Sequence, residues 1–267
     1  MPFLALHLEV LPLGKESGGA AHTSCRMSLY KALLALIAQS DEAGHVLLHP
    51  LSVKTHITVT VLQSDADQHS VRVTVCGQHA LTISNALIST LAEQPMISCE
   101  HLSYQVLSVD LERTPAAAVS TWTDLLVPPS RRALRLHFVT PAIFTGAKGG
   151  PARGEVFPQP LQVFSRLLDR WREMGGPVFA HDVLGWLQRC ECIVSDYRLQ
   201  AEPIGLSTAD GDVAVCPGWR GWITYTCREP QSACMSTLHV LARLACFTGV
   251  GDYTEVGLGV TRTEEGR

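Results

Sequence analysis

Charge is scarce in this chain. Lys, Arg, Asp and Glu make up 17% of its 267 residues, and aromatic residues only 6%. With 46% hydrophobic residues beside so little charge, an intrinsically disordered chain is excluded, because the apolar content suffices for a packed core. A run of eighteen uncharged apolar residues is missing, so no membrane-spanning helix is expected. The first residues, Met1-Pro2-Phe3-Leu4-Ala5-Leu6-His7-Leu8-Glu9, lack the basic stretch of a secretory leader and read as a first strand; a cytoplasmic protein is expected. Nine scattered cysteines, an odd number, argue against a complete disulfide framework. Cys190 and Cys192 form a lone C-x-C with no second pair at zinc-finger spacing, so buried thiols are expected and no metal site.

What charge there is falls unevenly. The net value is −4, which speaks against a nucleic-acid partner for the chain as a whole. Residues 131–172 reverse that balance. They carry eight basic residues (Arg131, Arg132, Arg135, Lys148, Arg153, Arg166, Arg170, Arg172) against Glu155 and Asp169, and 8 − 2 gives +6. A local basic segment can bind phosphate despite an acidic whole. A solvated helix face is the other reading of the same pattern.

The length predicts one large or two ordinary domains. Alternation predicts strands over 3–11, 53–62, 69–76 and 102–111. Helical spacing is read over 27–38 (Met27, Tyr30, Leu33, Leu34, Ile37) and 81–93. The order β-α-β-β-α-β is the split ferredoxin-like unit. Residues 113–130 are rich in Pro, Thr and Ala and read as a linker. The pattern then restarts: a strand over 133–140, a long Gly/Pro loop, and a helix over 161–174 with Leu161, Phe164, Leu167, Leu168 and Trp171 on one stripe. Strands near 190–206 and 213–228, a helix over 231–246 and a last strand over 255–262 complete it. The expectation is an α+β chain of two tandem ferredoxin-like (βαββαβ) domains, 1–112 and 131–267.

The densest motif lies near the end. Gly249, Gly251, Gly257 and Gly259 fall within eleven residues, directly after a helix-like run. Glycine permits positive φ and close approach of another backbone. The spacing does not give G-x-G-x-x-G, and the loop follows a helix where a dinucleotide fold needs a strand. No Gly-Lys-Ser/Thr occurs either, which excludes a P-loop. A glycine helix cap would need one glycine; four predict a loop lying against something, with exposed N–H groups able to meet phosphates.

Thr248-Gly249-Val250-Gly251-x-x-Thr254-x-x-Gly257-Leu258-Gly259 resembles the C-terminal glycine-rich loop of the CRISPR repeat-processing endoribonucleases of the RAMP superfamily. The preceding helix with Leu238, Leu241, Ala242 and Ala245 fits that family. So does the block Leu134-Arg135-Leu136-x-Phe138-x-Thr140-Pro141-x-x-Phe144, followed by Phe157-Pro158-Gln159-Pro160 and an amphipathic helix. The resemblance is strongest over 131–262.

It implies tandem ferredoxin-like domains and cleavage of precursor CRISPR RNA within its repeats, with no metal or other cofactor. The 2′-hydroxyl attacks the adjacent phosphate, leaving a 2′,3′-cyclic phosphate and a 5′-hydroxyl. That chemistry needs a base, an acid and positive charge at the phosphate. By the resemblance, His49 is the favoured acid or base, with His45 the alternative, while His56 reads as a strand residue. Lys54 would stabilise the phosphate and Tyr30 would orient the 2′-hydroxyl, although Tyr30 also fits the core stripe of its helix. RNA contacts fall to Arg131, Arg132, Lys148, Arg153, Arg166 and Arg170, and to the backbone at Gly249, Gly251, Gly257 and Gly259. Repeat RNA is the expected partner. CRISPR effector subunits and a second copy of the chain are the further partners the resemblance allows. A non-catalytic RNA-binding subunit of a CRISPR effector complex, built on the same fold, is the rival reading.

Overall fold

A computed structural model describes residues 3–13, 21–40, 55–64, 68–99, 103–111, 121–126, 131–144, 157–207, 213–229 and 233–264. The chain divides into two compact units. Met1–Ser120 forms the first, together with Gly205–Ala214 and Glu255–Gly257; Thr121–Ile204, Val215–Thr254 and Leu258–Arg267 form the second.

In the first unit the order is β1 (Phe3–Pro12), α1 (Ala21–Ala38), β2 (His56–Ser64), β3 (His69–Cys76), α2 (Ala80–Glu93), β4 (Met96–Ser98) and β5 (Ser103–Leu111). The sheet runs β2-β3-β1-β5-β4. Without the short edge strand β4 this is the ferredoxin-like arrangement, with β1 antiparallel to β3 and β5. Alternation in the strands sets the core: Leu6, Leu8 and Val10 of β1 and Val71, Val73 and Val75 of β3 all face inward. Leu29, Leu33 and Ile37 of α1 and Ile83, Leu87 and Leu91 of α2 meet them at helical spacing. Each such side chain contributes about 1.5–3 kcal/mol by leaving water.

On β2 the threonines that alternate with Ile57 and Val59 are buried as well. Thr58 and Thr60 are 2% and 1% exposed. Glycine-loop residue Gly257 lies over this strand: a Cβ there would come within 2.6 Å of the Val59 carbonyl oxygen.

In the second unit follow α3 (Trp122–Leu125), β6 (Ala133–Ala142), α4 (Pro160–Glu173), α5 (Val183–Gln188), β7 (Cys192–Ser207), β8 (Val213–Cys227), α6 (Ala233–Thr248), a 3-10 turn (Thr254–Val256) and β9 (Thr261–Thr263). The sheet order β7-β8-β6-β9 repeats the ferredoxin-like arrangement. The α+β class and the duplicated topology therefore stand as expected.

Several details differ. Helix α3 lies inside the expected linker, closed by a capping box between Thr121 and Asp124. On α4, Val163 is buried and Leu161 is 38% exposed, because Leu161 sits in the first turn, off the stripe of Phe164, Leu167, Leu168 and Trp171. The last strand begins at Thr261, not at 255. Positive φ at Gly257 and Gly259 bars extended backbone there.

Candidate functional site

Three sequence blocks far apart in the chain converge in the second unit. They are the end of β6, the helix α4, and the loop that follows α6. The convergence is made of main-chain hydrogen bonds. Gly249 N–H donates to Ala245 at 2.8 Å, and Val250 N–H to Gly259 at 2.8 Å. Asp252 N–H donates to Ile143, and Gly259 N–H to Pro141, both at 2.8 Å. Val260 N–H is accepted by the Thr140 hydroxyl at 2.9 Å.

Two glycines are obligatory to this closure. Gly251 has φ +95°, and a Cβ would lie 2.4 Å from the Ile143 oxygen. Gly259 has φ +65°, and a Cβ would lie 1.8 Å from the Val250 oxygen. No side chain fits at either distance. All four glycines are buried. The expectation of exposed N–H groups for phosphate is therefore corrected at Gly249 and Gly259, whose donors point into the protein. What the loop lies against is its own domain, and at Gly257 the strand β2.

Arg166 and Arg170 carry a different task from the one expected of them. They share a face of α4, one turn apart, and both reach the loop. Arg170 Nη1 donates to the carbonyls of Thr248 (3.1 Å) and Gly249 (2.7 Å), and Nη2 to that of Gly251. These oxygens end α6, where helical carbonyls lack partners and the macrodipole is negative. Arg170 is thus a charged cap for α6. Arg166 pairs with Asp252 and lies 5.4 Å over the Phe144 ring, which stacks on Trp219. Asp252, inside the quoted loop, is the residue that sequence reading missed. Its opposite charge to a helix arginine was the available signal.

Among the described residues, the expected phosphate contacts do not form one patch. Arg131 and Arg132 precede β6, whereas the clamp gathers at its far end, about 30 Å of strand away. Both are exposed. Arg132 Nε donates to the Cys227 carbonyl at 2.9 Å, and His239 Nε2 meets the Arg131 carbonyl oxygen at 3.2 Å. Burial holds the His239 pKa below its ordinary value. Lys148 and Arg153 lie outside the described residues.

Of the catalytic candidates, His45, His49 and Lys54 lie outside the described residues. Tyr30 is half-buried on α1 and packs against the first unit's core. Burial, and secondarily the Glu255 carboxylate, raise its pKa, which keeps the phenol protonated and able to donate. His56 opens β2 opposite Cys76. Of the C-x-C pair, Cys190 is exposed and Cys192 buried, with burial pushing the Cys192 thiol up to about 12. No helix among the described residues is long and apolar enough to cross a membrane.

Residues 136–261, from the middle of β6 to the start of β9, match the family of the CRISPR-associated endoribonuclease Cas6. The matched segment is similar to that family over just under half of the chain. It contains the whole clamp: the end of β6, α4, α6 and the glycine loop. Solved structures share the fold over the entire chain. A Thermus thermophilus Cas6 in a product complex has a TM-score of 0.77 at 21% identity, covering 98% of this chain and 99% of that one. A second Cas6 product complex gives 0.69 at 23% identity over 99% and 100%. That same Cas6 as a histidine-to-alanine mutant gives 0.67 at 22% identity over 98% and 99%. A Cas6-related protein of Pyrococcus furiosus gives 0.57 at 12% identity over 99% and 100%. No curated protein matches the chain.

Proposed function

We propose that this protein is a repeat-specific endoribonuclease that cuts precursor CRISPR RNA without a metal ion. The observation that carries the reading is the coincidence of the Cas6 family match with the assembled clamp. Three motifs spaced over more than a hundred residues meet at one place. In the proposed reaction a base takes the proton of the 2′-hydroxyl upstream of the scissile phosphate. The oxygen attacks phosphorus, the P–O5′ bond breaks, and an acid protonates the leaving 5′-oxygen. The products are a 2′,3′-cyclic phosphate and a 5′-hydroxyl. His49 is our choice for one proton transfer and His45 the alternative, since imidazole titrates near neutrality. Lys54 would offset the charge that builds on the phosphate. Tyr30, held protonated by its surroundings, would donate to the attacking ribose. The histidine-to-alanine Cas6 among the relatives supports a histidine in the role.

The test is single-turnover cleavage of the organism's repeat RNA in EDTA. Cleavage to a cyclic-phosphate end supports the proposal. His49→Ala is expected to slow it by about 10²–10⁴-fold with little loss of binding. If His45→Ala does this and His49→Ala does not, the roles belong to His45. Tight, salt-sensitive binding without cleavage would assign the chain instead as an RNA-binding subunit of an effector complex. Absence of binding would overturn both readings.

A further inference from the structure

Arg166 and Arg170 are engaged by the loop, and a further group of side chains in the second unit is placed to meet RNA. It lies on the open face of the second sheet. His137 on β6 pairs in register with Trp222 on β8 and with Arg262 on β9. Residues paired across a ladder share a face, with Cβ atoms about 5 Å apart. Trp222, His137 and Arg262 therefore form a row across three strands. Their neighbours Leu136, Phe138 and Ile223 are buried on the opposite face. Trp222 is half-buried and Arg262 exposed.

The indole is held in place. The Arg135 guanidinium lies 4.2 Å from the Trp222 ring centre and donates from Nε to the Thr224 hydroxyl at 2.9 Å. Asp196 (3.7 Å) and Glu264 (3.4 Å) balance its charge, and Glu264 also reaches His137 at 2.9 Å. Arg135 is thus a brace for the ring and offers little net charge to a ligand. Arg262 differs: it has no ion-pair partner among the described residues. Its backbone lies two strand spacings from Trp222, about 10 Å, and a long side chain spans part of that distance.

We infer that this row binds unpaired nucleotides of single-stranded RNA, with a base stacked on Trp222 and a phosphate on Arg262. An aromatic ring and an exposed cation in one row across a ferredoxin-like sheet are the chemistry by which sheet faces take single strands. A duplex keeps its bases stacked away from such a ring. The inference rests on the RNA-processing reading, and it adds a binding site that uses neither the candidate histidines nor the glycine loop.

The experiment measures binding of repeat RNA carrying a 2′-deoxy sugar at the cut, and of its unpaired segment and its blunt duplex separately. Trp222→Ala is expected to weaken binding of the unpaired segment about 10-fold and to leave the duplex unaffected. Trp222→Phe should keep most of the affinity. Arg262→Ala should lower the slope of log affinity against log salt by about one contact. Photocrosslinking of the wild-type protein to the unpaired segment should map to Trp222. Unchanged binding by a folded Trp222→Ala protein, or no crosslink at Trp222, overturns the site and leaves the RNA-processing reading intact. Failure of the wild-type protein to bind any repeat RNA overturns that reading, and the site with it.

Discussion

Arg170 and Arg262 belong to the same unit; Arg170 was among the residues expected to meet RNA, and Arg262, outside the basic segment, was not. The structure separates them. Arg170 spends its fork on three carbonyls at the end of α6, while Arg262 stands exposed beside a braced tryptophan. The glycine loop and the open sheet face differ in the same sense. In the loop, polar groups satisfy one another; on the sheet face, an aromatic ring and a cation are left over. A basic segment marks where binding can occur only after the internal obligations of its arginines are subtracted.

The largest effect that tests this contrast is on stability. Gly259→Ala puts a methyl group 1.8 Å from the Val250 oxygen, at positive φ. The loop must then open, at a cost of about 4 kcal/mol or more. Urea unfolding should show a lowered midpoint or no folded protein; a wild-type midpoint would mean that the loop is not closed as described.

Next is Arg170→Ala, which removes the charged cap of α6. A loss of about 2–3 kcal/mol is expected, and Arg170→Lys should recover only part, since an ammonium cannot fork to two oxygens at once. The salt dependence of RNA binding should stay unchanged in Arg170→Ala. A shallower slope would show that Arg170 also neutralises a phosphate, and the comparison would blur.

The smallest effect lies at the start of β6, where His239 meets the Arg131 carbonyl. Burial depresses the folded pKa of His239 below its ordinary 6.5. Its contribution to stability is therefore complete above 6.5 and is lost as pH falls through the lower folded value. His239→Gln should flatten the stability-against-pH curve in that acidic window. An unaltered curve would remove His239 from the account.

Strands such as β1 and β3 were legible because one buried face gives strict alternation, as in Leu6, Leu8 and Val10. The stripe on α4 was legible for the same reason at period 3.6. The second face of strand β2 was not legible, because threonine suits a solvated face and a buried one alike, and Thr58 and Thr60 are buried. The last strand was placed too early because alternation around Val256 and Leu258 does not reveal positive φ. Trp222 gave no signal of its own: its partners His137 and Arg262 lie 85 and 40 residues away along the chain and meet it only through strand register.

The sequence by itself determined the α+β class, the duplicated topology and the glycine loop as the chain's distinguishing motif, since periodicity and glycine content are local properties. Only the tertiary structure decided what the loop lies against and which arginines remain available. Those outcomes depend on which carbonyls and carboxylates arrive within about 3 Å of each donor. That proximity is set by packing across the whole unit, which no local pattern records.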